Sequence, residues 1–205
     1  AKLQSHGKLI YNEISDYLEG VEGAKFTPSE EIKPILSLLV EFTKVRDHYR
    51  STHAASFKNR PDYEFVLKDN GALDHIEINN RRIANQIVEE AMIVSNVAAG
   101  DFLAEKLNSG IFNIHCGFDM QKKKDIVELL EKEKCPFDED KLDTIEEYNK
   151  VRRFAVDNNN DYLDSRIRKL QEYSEISIAP GPHYALGVEN YATWTSPIRK
   201  YGDMV

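Results

Sequence analysis

The sequence predicts an α+β protein that is rich in helix and also contains a β-hairpin and short strands. Apolar residues recur at helical spacing in several stretches, of which residues 81–108 form the longest. Two strand-like runs, residues 63–67 and 73–78, flank Asp69-Asn70-Gly71, a turn signal typical of a hairpin. Helices and strands do not alternate regularly, as they would in a doubly wound sheet, so the α+β class is favoured.

The first part of the chain is predicted to contain two helices. Residues 7–14 favour a short strand that leads into a helix near residues 15–18, and Gly20 ends this helix. The sequence Thr27-Pro28-Ser29-Glu30 has the form of a capping box, which predicts that a second helix begins there. Pro34 lies early in that helix, where it would remove one hydrogen bond and favour a bend.

The rest of the chain is predicted to add one long helix, three shorter helices and two strands. The long helix, over residues 81–108, follows an N-cap at Asn79 or Asn80. Its predicted buried face consists of Ile83, Ile87, Ala91, Val94, Ala98, Phe102 and Leu103. The other helices are predicted over about residues 120–133, 144–156 and 162–173, and the strands over residues 111–115 and 175–178.

Composition limits the classes of protein to which this chain can belong. Hydrophobic residues make up 41% of it, no run of about 18 apolar residues occurs, and the start lacks the apolar core of a signal peptide. Its two cysteines, Cys116 and Cys135, show no metal-site spacing. We therefore expect a reduced, cytoplasmic protein with no membrane association. The missing initiator Met and the end at Val205 predict a fragment of a longer protein.

The formal net charge of −8 argues against broad nucleic-acid binding, for which a basic domain is usual. Basic residues nevertheless occur in local groups: Lys58 with Arg60, Arg81-Arg82, Arg152-Arg153, Arg166 to Lys169, and Arg199-Lys200. Such groups are usually solvated helix faces, and they indicate a binding site only if they converge in space.

The final stretch, residues 191–203, has the pattern of an extended aromatic segment followed by the start of a helix. Ser196 is a favourable N-cap, and Pro197 suits the first helical position. Arg199 then falls in the first turn beside Lys200, where free N–H groups and the positive end of the helix dipole favour an anion. This pattern is consistent with a phosphate clamp, and equally with a capped helix that carries a surface arginine.

A second candidate is the loop over residues 51–61, in which Phe57 lies close to Lys58 and Arg60. A ring that stacks on a base, beside cations that meet phosphate, is one way to hold single-stranded nucleic acid. The alternative, that Phe57 packs into the core, is favoured on these residues alone.

The acidic residues and histidines indicate no metal site. Asp138-Glu139-Asp140, and Asp157 with Asp161, fall in predicted loops, and the six histidines show no zinc spacing. Glu89 and Glu90 lie within the long helix, where a glutamate is usually a solvated flank; the alternative is a carboxylate that accepts from a ligand hydroxyl. The residues alone therefore indicate a phosphate-binding site, with Phe57 as a candidate for base stacking, and no complete catalytic set.

The stretch Tyr191-Ala-Thr-Trp-Thr-Ser-Pro-Ile-Arg-Lys-Tyr-Gly-Asp-Met204 closely resembles the signature of the ribonuclease II (RNB) family. Further similar segments occur in order along nearly the whole chain: residues 11–18, 57–63, 81–92, 164–168 and 181–184. The resemblance implies a processive 3′-to-5′ exoribonuclease. Such an enzyme hydrolyses single-stranded RNA to nucleoside 5′-monophosphates, using Mg²⁺ held by a cluster of aspartates.

The resemblance also implies roles for single residues. Arg199 matches an arginine that contacts the scissile phosphate and would stabilise charge in the transition state, and Lys200 is expected to bind RNA beside it. Phe57 matches an aromatic that packs against the last bases at the 3′ end, as one half of a stacking clamp. Tyr11 and Glu89 match positions that help to select RNA over DNA, for which a carboxylate that accepts from the 2′-hydroxyl gives a physical basis.

The same resemblance implies that much of the catalytic apparatus lies outside this sequence. The aspartate cluster and the second clamp aromatic belong upstream, a further glutamate belongs beyond Val205, and cold-shock and S1 domains flank the catalytic domain. Residues 1–205 are thus predicted to be a partial RNB catalytic domain that does not hydrolyse RNA by itself. We expect Mg²⁺ in the full-length enzyme and none bound to this chain. The expected partner is single-stranded RNA without a preference for DNA, and the full-length protein is expected to be monomeric.

Two other function classes stay open. One is a non-catalytic RNA-binding module that kept the groove and lost the chemistry. The other is a helical protein-interaction domain with no RNA role, toward which the net charge of −8 leans.

Overall fold

The computed structural model describes residues 2, 4, 5, 7–55 and 62–196, without the side chains of Asp62 and Asn79. These residues form six α-helices and two small antiparallel sheets, so the predicted α+β class is confirmed. The helices are α1 (Tyr11–Glu19), α2 (Ile32–His53), α3 (Ile83–Leu107), α4 (Lys123–Lys132), α5 (Ile145–Asp157) and α6 (Asp161–Lys169). Strand β1 (Asp62–Leu67) pairs with β2 (Leu73–Asn79), and β3 (Phe112–Ile114) pairs with β4 (Glu175–Ser177). Short 3-10 turns lie at Met120–Lys122, Glu139–Lys141 and Tyr184–Leu186.

The chain divides into two compact units. Unit 1 consists of residues 1–45 and 59–91, and unit 2 of residues 46–58 and 92–205. Over the described ranges, none of the helices combines the length and the apolar character that crossing a bilayer requires.

In unit 1, helix α1 begins at Tyr11, so the strand predicted over residues 7–14 is wrong. The carbonyl of Ile10 already accepts from the N–H of Ile14 at 3.0 Å. Helical spacing places Ile14 on the face that packs against Leu36 and Ala84, and burial of that face favours helix over strand. Gly20 ends α1 as predicted, with a left-handed φ of 71°.

The start of α2 differs in detail from the predicted capping box. Ser29 supplies the acceptors: its carbonyl accepts from the N–H groups of Ile32 and Lys33, and its hydroxyl accepts from Ile32. Pro34 is therefore the third helical residue, where an N–H has no partner within the helix, so the predicted loss of a hydrogen bond does not arise.

The predicted hairpin is confirmed. Tyr63 pairs with Ile78 and Phe65 pairs with Ile76, and Gly71 takes a φ of 79° in the connecting turn. These paired residues share one face of the two-stranded sheet, and all four are about half exposed or more.

Helix α3 is confirmed in extent, but its predicted buried face is wrong. Phe102 is 59% exposed and Ala98 is also exposed, whereas Ile87 is buried as predicted. The fully buried positions are Ala84, Ile87, Glu90, Ile93, Asn96 and Gly100. The helix itself carries apolar residues on most of its sides. Apolar spacing therefore could not identify its buried face, whose positions include a glutamate, an asparagine and a glycine.

Unit 2 has its core between α4, α5 and α6, and these helices confirm the predicted elements. The core contains Ile126, Leu130, Leu142, Tyr148, Val151, Leu163 and Ile167, each fully buried. Thr144 caps α5 by accepting from the N–H of Glu147, and Asn160 caps α6 by accepting from Leu163. Helix α6 ends at Lys169, four residues earlier than predicted, and the chain then enters a bridge between Gln171 and Phe118.

A charged network lies within this core. Arg152, which is 2% exposed, forms an ion pair with Asp164 at 2.9 Å and donates to the hydroxyl of Tyr148 at 3.2 Å. Tyr148 donates onward to Gln171 at 2.8 Å, and Arg168 binds the second oxygen of Asp164 at 2.7 Å. The basic residues Arg152 and Arg168 therefore serve the internal structure of unit 2.

Both cysteines are free thiols with a raised pKa. Burial raises the pKa of Cys135 to about 11. Burial, together with the nearby carboxylate of Glu172, also raises the pKa of Cys116.

We expect Asp164→Ala to lower the free energy of unfolding of unit 2 by about 3–5 kcal/mol, because it leaves Arg152 buried without its carboxylate. Urea denaturation followed by the emission of Trp194, the single tryptophan, measures this loss. Glu105→Ala, which removes an exposed carboxylate, is the control and is expected to leave the midpoint unchanged. A loss below about 1 kcal/mol for Asp164→Ala would contradict the prediction.

Candidate nucleic-acid interface

Three of the five predicted site residues, Arg199, Lys200 and Phe57, lie outside the described residues. Tyr11 and Glu89 lie within them. The described parts of the candidate interface are the segments that precede Phe57 and Arg199 in the chain, and the surroundings of Tyr11 and Glu89.

The segment that leads to Phe57 is fixed at the end of α2. The Asn149 amide donates to the carbonyl of His53 at 2.9 Å, and Arg153 donates to the carbonyl of Ala54 at 2.8 Å. The N–H of Ala55 donates to the carbonyl of Ala185 at 3.1 Å. Gly187 lies so close that a Cβ on it would stand 2.2 Å from the His53 carbonyl oxygen. Residues 53–55 are thus held against the 3-10 turn at Tyr184–Leu186.

The segment that leads to Arg199 is fixed against α3 and β3. Asn96 accepts from the N–H of Trp194 at 3.0 Å and donates to the hydroxyl of Tyr191 at 2.8 Å. Asn113 accepts from both the N–H and the hydroxyl of Thr193, at 3.1 and 2.7 Å. The side chains of Asn96 and Asn113 therefore define the path of the backbone from Tyr191 to Trp194.

One side chain joins residues 53–55 to the turn at Tyr184–Leu186, which precedes the segment from Tyr191 to Trp194 in the chain. The amide of Asn149, which is fully buried, donates to the carbonyl of Tyr184 at 2.7 Å as well as to that of His53. The chain that precedes Phe57 and the chain that leads toward Arg199 are therefore bound to a common point in unit 2.

Two histidines pack beside the turn at Tyr184–Leu186 and against Tyr191. The rings of His115 and His183 stack with centroids 5.1 Å apart, and the His183 ring also meets the edge of Tyr191. The His183 Nδ1 accepts from the N–H of Leu186, and the His115 N–H donates to the carbonyl of Pro182. Burial and the neighbouring His115 lower the pKa of His183 to about 4, and burial also lowers the pKa of His115. Both rings are therefore neutral near pH 7, and their contacts are those of packed structural residues.

Aromatic and basic side chains follow one another along the last turns of α2. The Arg46 guanidinium lies 5.0 Å from the centre of the Tyr49 ring, and Tyr49 stacks on His53 with centroids 4.1 Å apart. Arg46 and Tyr49 also line a cavity of about 220 Å³, together with Val94, Val97, Ala98, Asp101 and Val188.

Tyr11 and Glu89 both belong to unit 1. Tyr11 is the first residue of α1 and is 48% exposed, and Glu89 lies in the second turn of α3, where it accepts from Arg81 at 2.7 Å. The two helices are joined because Ser15 accepts from the N–H of Ala84 at 3.2 Å. Glu90, the neighbour of Glu89, is buried, so Glu89 is the more accessible of the two carboxylates.

Among the described residues, several members of the basic groups noted in the sequence form contacts within the protein. Arg82 binds Asp16 at 2.8 Å and Glu19 at 2.7 Å, and hydrogen bonding to these carboxylates raises its pKa while Glu19 has a lowered pKa. Arg152 is buried, and Arg153 donates to a main-chain carbonyl. Within each unit, these arginines form contacts that stabilise the fold.

The acidic residues, histidines and cysteines were the candidates for a metal site. Across the described part of the chain, no three His, Cys, Asp or Glu side chains lie together in a way that could hold a metal ion. Asp138 instead caps the turn at Glu139–Lys141 by accepting from Asp140.

The supporting asparagines Asn96, Asn113 and Asn149 escaped prediction. A buried asparagine has the same letter as a surface one, and only its hydrogen bonds distinguish it. The single sequence signal was Gly100, which allows the backbone of Tyr191 to approach: a Cβ there would stand 2.9 Å from the Tyr191 nitrogen.

Comparison with known proteins relates the chain to one family. The family model described as the RNB domain matches residues 1–205. Exoribonuclease 2 of Serratia proteamaculans is 48% identical over 205 residues, which is all of this chain and 32% of that protein. Exoribonuclease 2 of Vibrio cholerae is 44% identical over 206 residues, all of this chain and 30% of that protein. The chain thus spans about a third of the length of these relatives.

Solved structures share the fold. Mycoplasma genitalium RNase R in complex with ribose-methylated single-stranded RNA superposes with a TM-score of 0.75 at 17% identity. The match covers 95% of this chain and 30% of that one. At this identity the likeness concerns the fold alone.

We expect the stability of unit 2 to fall as the pH falls from about 6.5 toward about 4. The folded state keeps His183 neutral, so in this window the unfolded state binds more protons, and each pH unit costs about 1.4 kcal/mol for one histidine. Above about pH 6.5 this contribution is fully present. Urea denaturation at a series of pH values measures the slope.

His183→Asn is the informative variant, because its side-chain oxygen can still accept from Leu186 while the titrating ring is removed. It is expected to have a shallower slope than the natural chain. His48→Asn replaces an exposed ring and is the control. Parallel slopes for His183→Asn and the natural chain would rule out His183 as the source.

Proposed function

We propose that this chain, which belongs to the RNB domain family, is part of a processive 3′-to-5′ exoribonuclease that hydrolyses single-stranded RNA to nucleoside 5′-monophosphates. Relatives named exoribonuclease 2 are 44–48% identical over the whole chain, which supports this activity for the longer protein. In this proposal residues 1–205 are a partial catalytic domain.

The observation that carries the proposal is the bond pattern of Asn149. It links the backbone just before Phe57 to the turn from which the chain runs toward Arg199. A ring that stacks on the terminal bases and a guanidinium that meets the scissile phosphate must keep a fixed spacing, because one nucleotide is removed at each step. A shared, buried attachment of the two preceding segments supports that spacing.

Arg199 supplies electrostatic stabilisation in the proposed mechanism. Attack on the phosphodiester by water places additional negative charge on the non-bridging oxygens, and a guanidinium donates two parallel hydrogen bonds to such oxygens. Lys200 adds positive charge for the RNA backbone, and Phe57 stacks on the 3′-terminal bases.

Tyr11 and Glu89 serve substrate selection in this proposal. A carboxylate oxygen of Glu89 can accept a hydrogen bond from the ribose 2′-hydroxyl, a group that DNA lacks. The Arg81 guanidinium holds this carboxylate at 2.7 Å, which limits its rotamers.

A divalent metal such as Mg²⁺ would activate the attacking water and neutralise phosphate charge. The described residues do not form a suitable cluster, so no step is assigned to a metal held by them. The resemblance assigns the metal-binding aspartates to a preceding part of the longer polypeptide. The alternative function, a non-catalytic RNA-binding module, would use the same stacking and phosphate contacts without hydrolysis.

We expect the complete polypeptide that contains this chain to release mononucleotides from uniformly labelled poly(A) in the presence of Mg²⁺. Arg199→Ala is expected to lower kcat by about 10²–10³-fold, since it removes charge stabilisation in the transition state. Arg166→Ala, which removes an exposed arginine of α6, is the control. Residues 1–205 alone are expected to release no mononucleotides.

Release of mononucleotides by residues 1–205 alone would overturn the partial-domain assignment. Binding without hydrolysis by the complete polypeptide would favour the RNA-binding module instead. RNA affinity that is unchanged by both Phe57→Ala and Arg199→Ala would favour the protein-interaction alternative.

We expect Glu89→Ala to reduce the ratio of kcat/KM for RNA over DNA by about tenfold or more, the loss of a hydrogen bond to a charged acceptor. Competition between matched RNA and DNA oligonucleotides measures the ratio. Arg81→Ala breaks the same ion pair but keeps the carboxylate, so it is expected to retain most of the discrimination. A ratio for Glu89→Ala equal to that of the natural polypeptide would remove Glu89 from substrate selection.

A further inference from the structure

Asn96 directs all of its side-chain hydrogen bonding at one short segment. Its side chain is buried on α3, 3% exposed, where an apolar residue would be expected. Its amide nitrogen donates to the Tyr191 hydroxyl, and its amide oxygen accepts from the Trp194 N–H. Its own carbonyl also accepts from the N–H of Ala192 at 3.3 Å. One residue therefore holds three of the four residues from Tyr191 to Trp194.

Neighbouring groups complete the attachment. Asn113 holds Thr193 by two bonds, and its N–H donates to the Tyr191 carbonyl at 2.8 Å. The indole N–H of Trp194 donates to the carbonyl of Ser95 at 3.0 Å. The close approach of the segment at Gly100 leaves little space for a lateral shift. The segment belongs to neither of the two sheets, and side-chain amides supply much of its hydrogen bonding.

We propose that Asn96 is a positioning residue for Arg199, a role that rests on the proposed exoribonuclease function. Arg199 follows Trp194 by only five residues in the sequence. A displacement of about 1 Å in a group that meets the reacting phosphate can cost about a hundredfold in rate. The buried amide of Asn96 holds the main-chain N–H of Trp194. Trp194 lies two residues before Ser196, where the helix-start pattern Ser196-Pro197 begins.

The chemistry of this position suits asparagine. Asn96 supplies one donor, to the Tyr191 hydroxyl at 2.8 Å, and one acceptor, for the Trp194 N–H at 3.0 Å. Alanine supplies neither group. Aspartate keeps the acceptor and can accept from the Tyr191 hydroxyl, which is able to donate, but it places a carboxylate in a buried position at a cost in stability.

The first test is steady-state kinetics of the complete polypeptide on single-stranded RNA. Asn96→Ala is expected to lower kcat by about tenfold or more while the Kd for RNA changes by less than about twofold, because phosphate positioning is lost and stacking is kept. Asn96→Asp is expected to recover part of kcat. Asn160→Ala is the matched structural control: Asn160 also uses both ends of its amide, with Glu133 and Leu163, but at the start of α6.

The second test does not depend on activity. Trp194 is the single tryptophan of residues 1–205, so in this chain its emission and its quenching by acrylamide report the attached segment directly. Asn96→Ala is expected to increase the quenching constant, and Asn160→Ala is expected to leave it unchanged. Tyr191→Phe, which removes only the hydroxyl, is the milder variant if Asn96→Ala does not fold, and a smaller change in the same direction is expected.

The outcomes separate the two proposals. A natural polypeptide that does not hydrolyse RNA defeats the proposed function, and the positioning role falls with it. An active natural polypeptide whose Asn96→Ala and Tyr191→Phe variants keep the natural kcat defeats the positioning role alone. A loss of kcat in Asn160→Ala as large as in Asn96→Ala would also overturn it, since the effect would then be one of general stability.

Discussion

Several main-chain groups in the irregular segments of unit 2 are satisfied by asparagine side chains. Residues 53–55 and 182–194 are mostly half-buried, with Ala54, Ala55, Ala185 and Ala192 buried, and they have few of the bonds that helices and sheets provide. Leaving one such group unsatisfied costs about 1–3 kcal/mol. Asn96, Asn113 and Asn149 supply partners for several of them. The path of the chain toward both candidate RNA contacts depends on these three side chains.

Sequence patterns predicted the elements whose faces differ clearly in polarity. Helices α4 and α5 have a distinct apolar stripe, and α5 begins at a threonine cap, so both were located closely. The hairpin followed from its Asn-Gly turn. Helix α3 was located too, but its buried face was not. That helix is apolar on most sides, and Glu90 and Asn96 are polar at positions that tertiary contacts bury.

The candidate site divides along the same line. Tyr11, Phe57, Glu89 and Arg199 came from the resemblance to a family, and a motif carries that information in its letters. The side chains that hold the neighbouring backbone are identified only by the structure, because their role is defined by partners distant in sequence. Asn149 and His53 are 96 residues apart, and Asn96 and Trp194 are 98 apart. The arginine pairs show that a sequence pattern can also mislead. Arginines that suggested phosphate binding form ion pairs within the protein.

The state of the two thiols has a practical consequence. Alkylating reagents attack the thiolate, and burial holds both Cys116 and Cys135 mostly in the protonated form near neutral pH. A cysteine introduced on an exposed helix surface would therefore react with a maleimide dye well before either natural thiol. Fluorophores can thus be attached at single chosen sites without first removing the native cysteines.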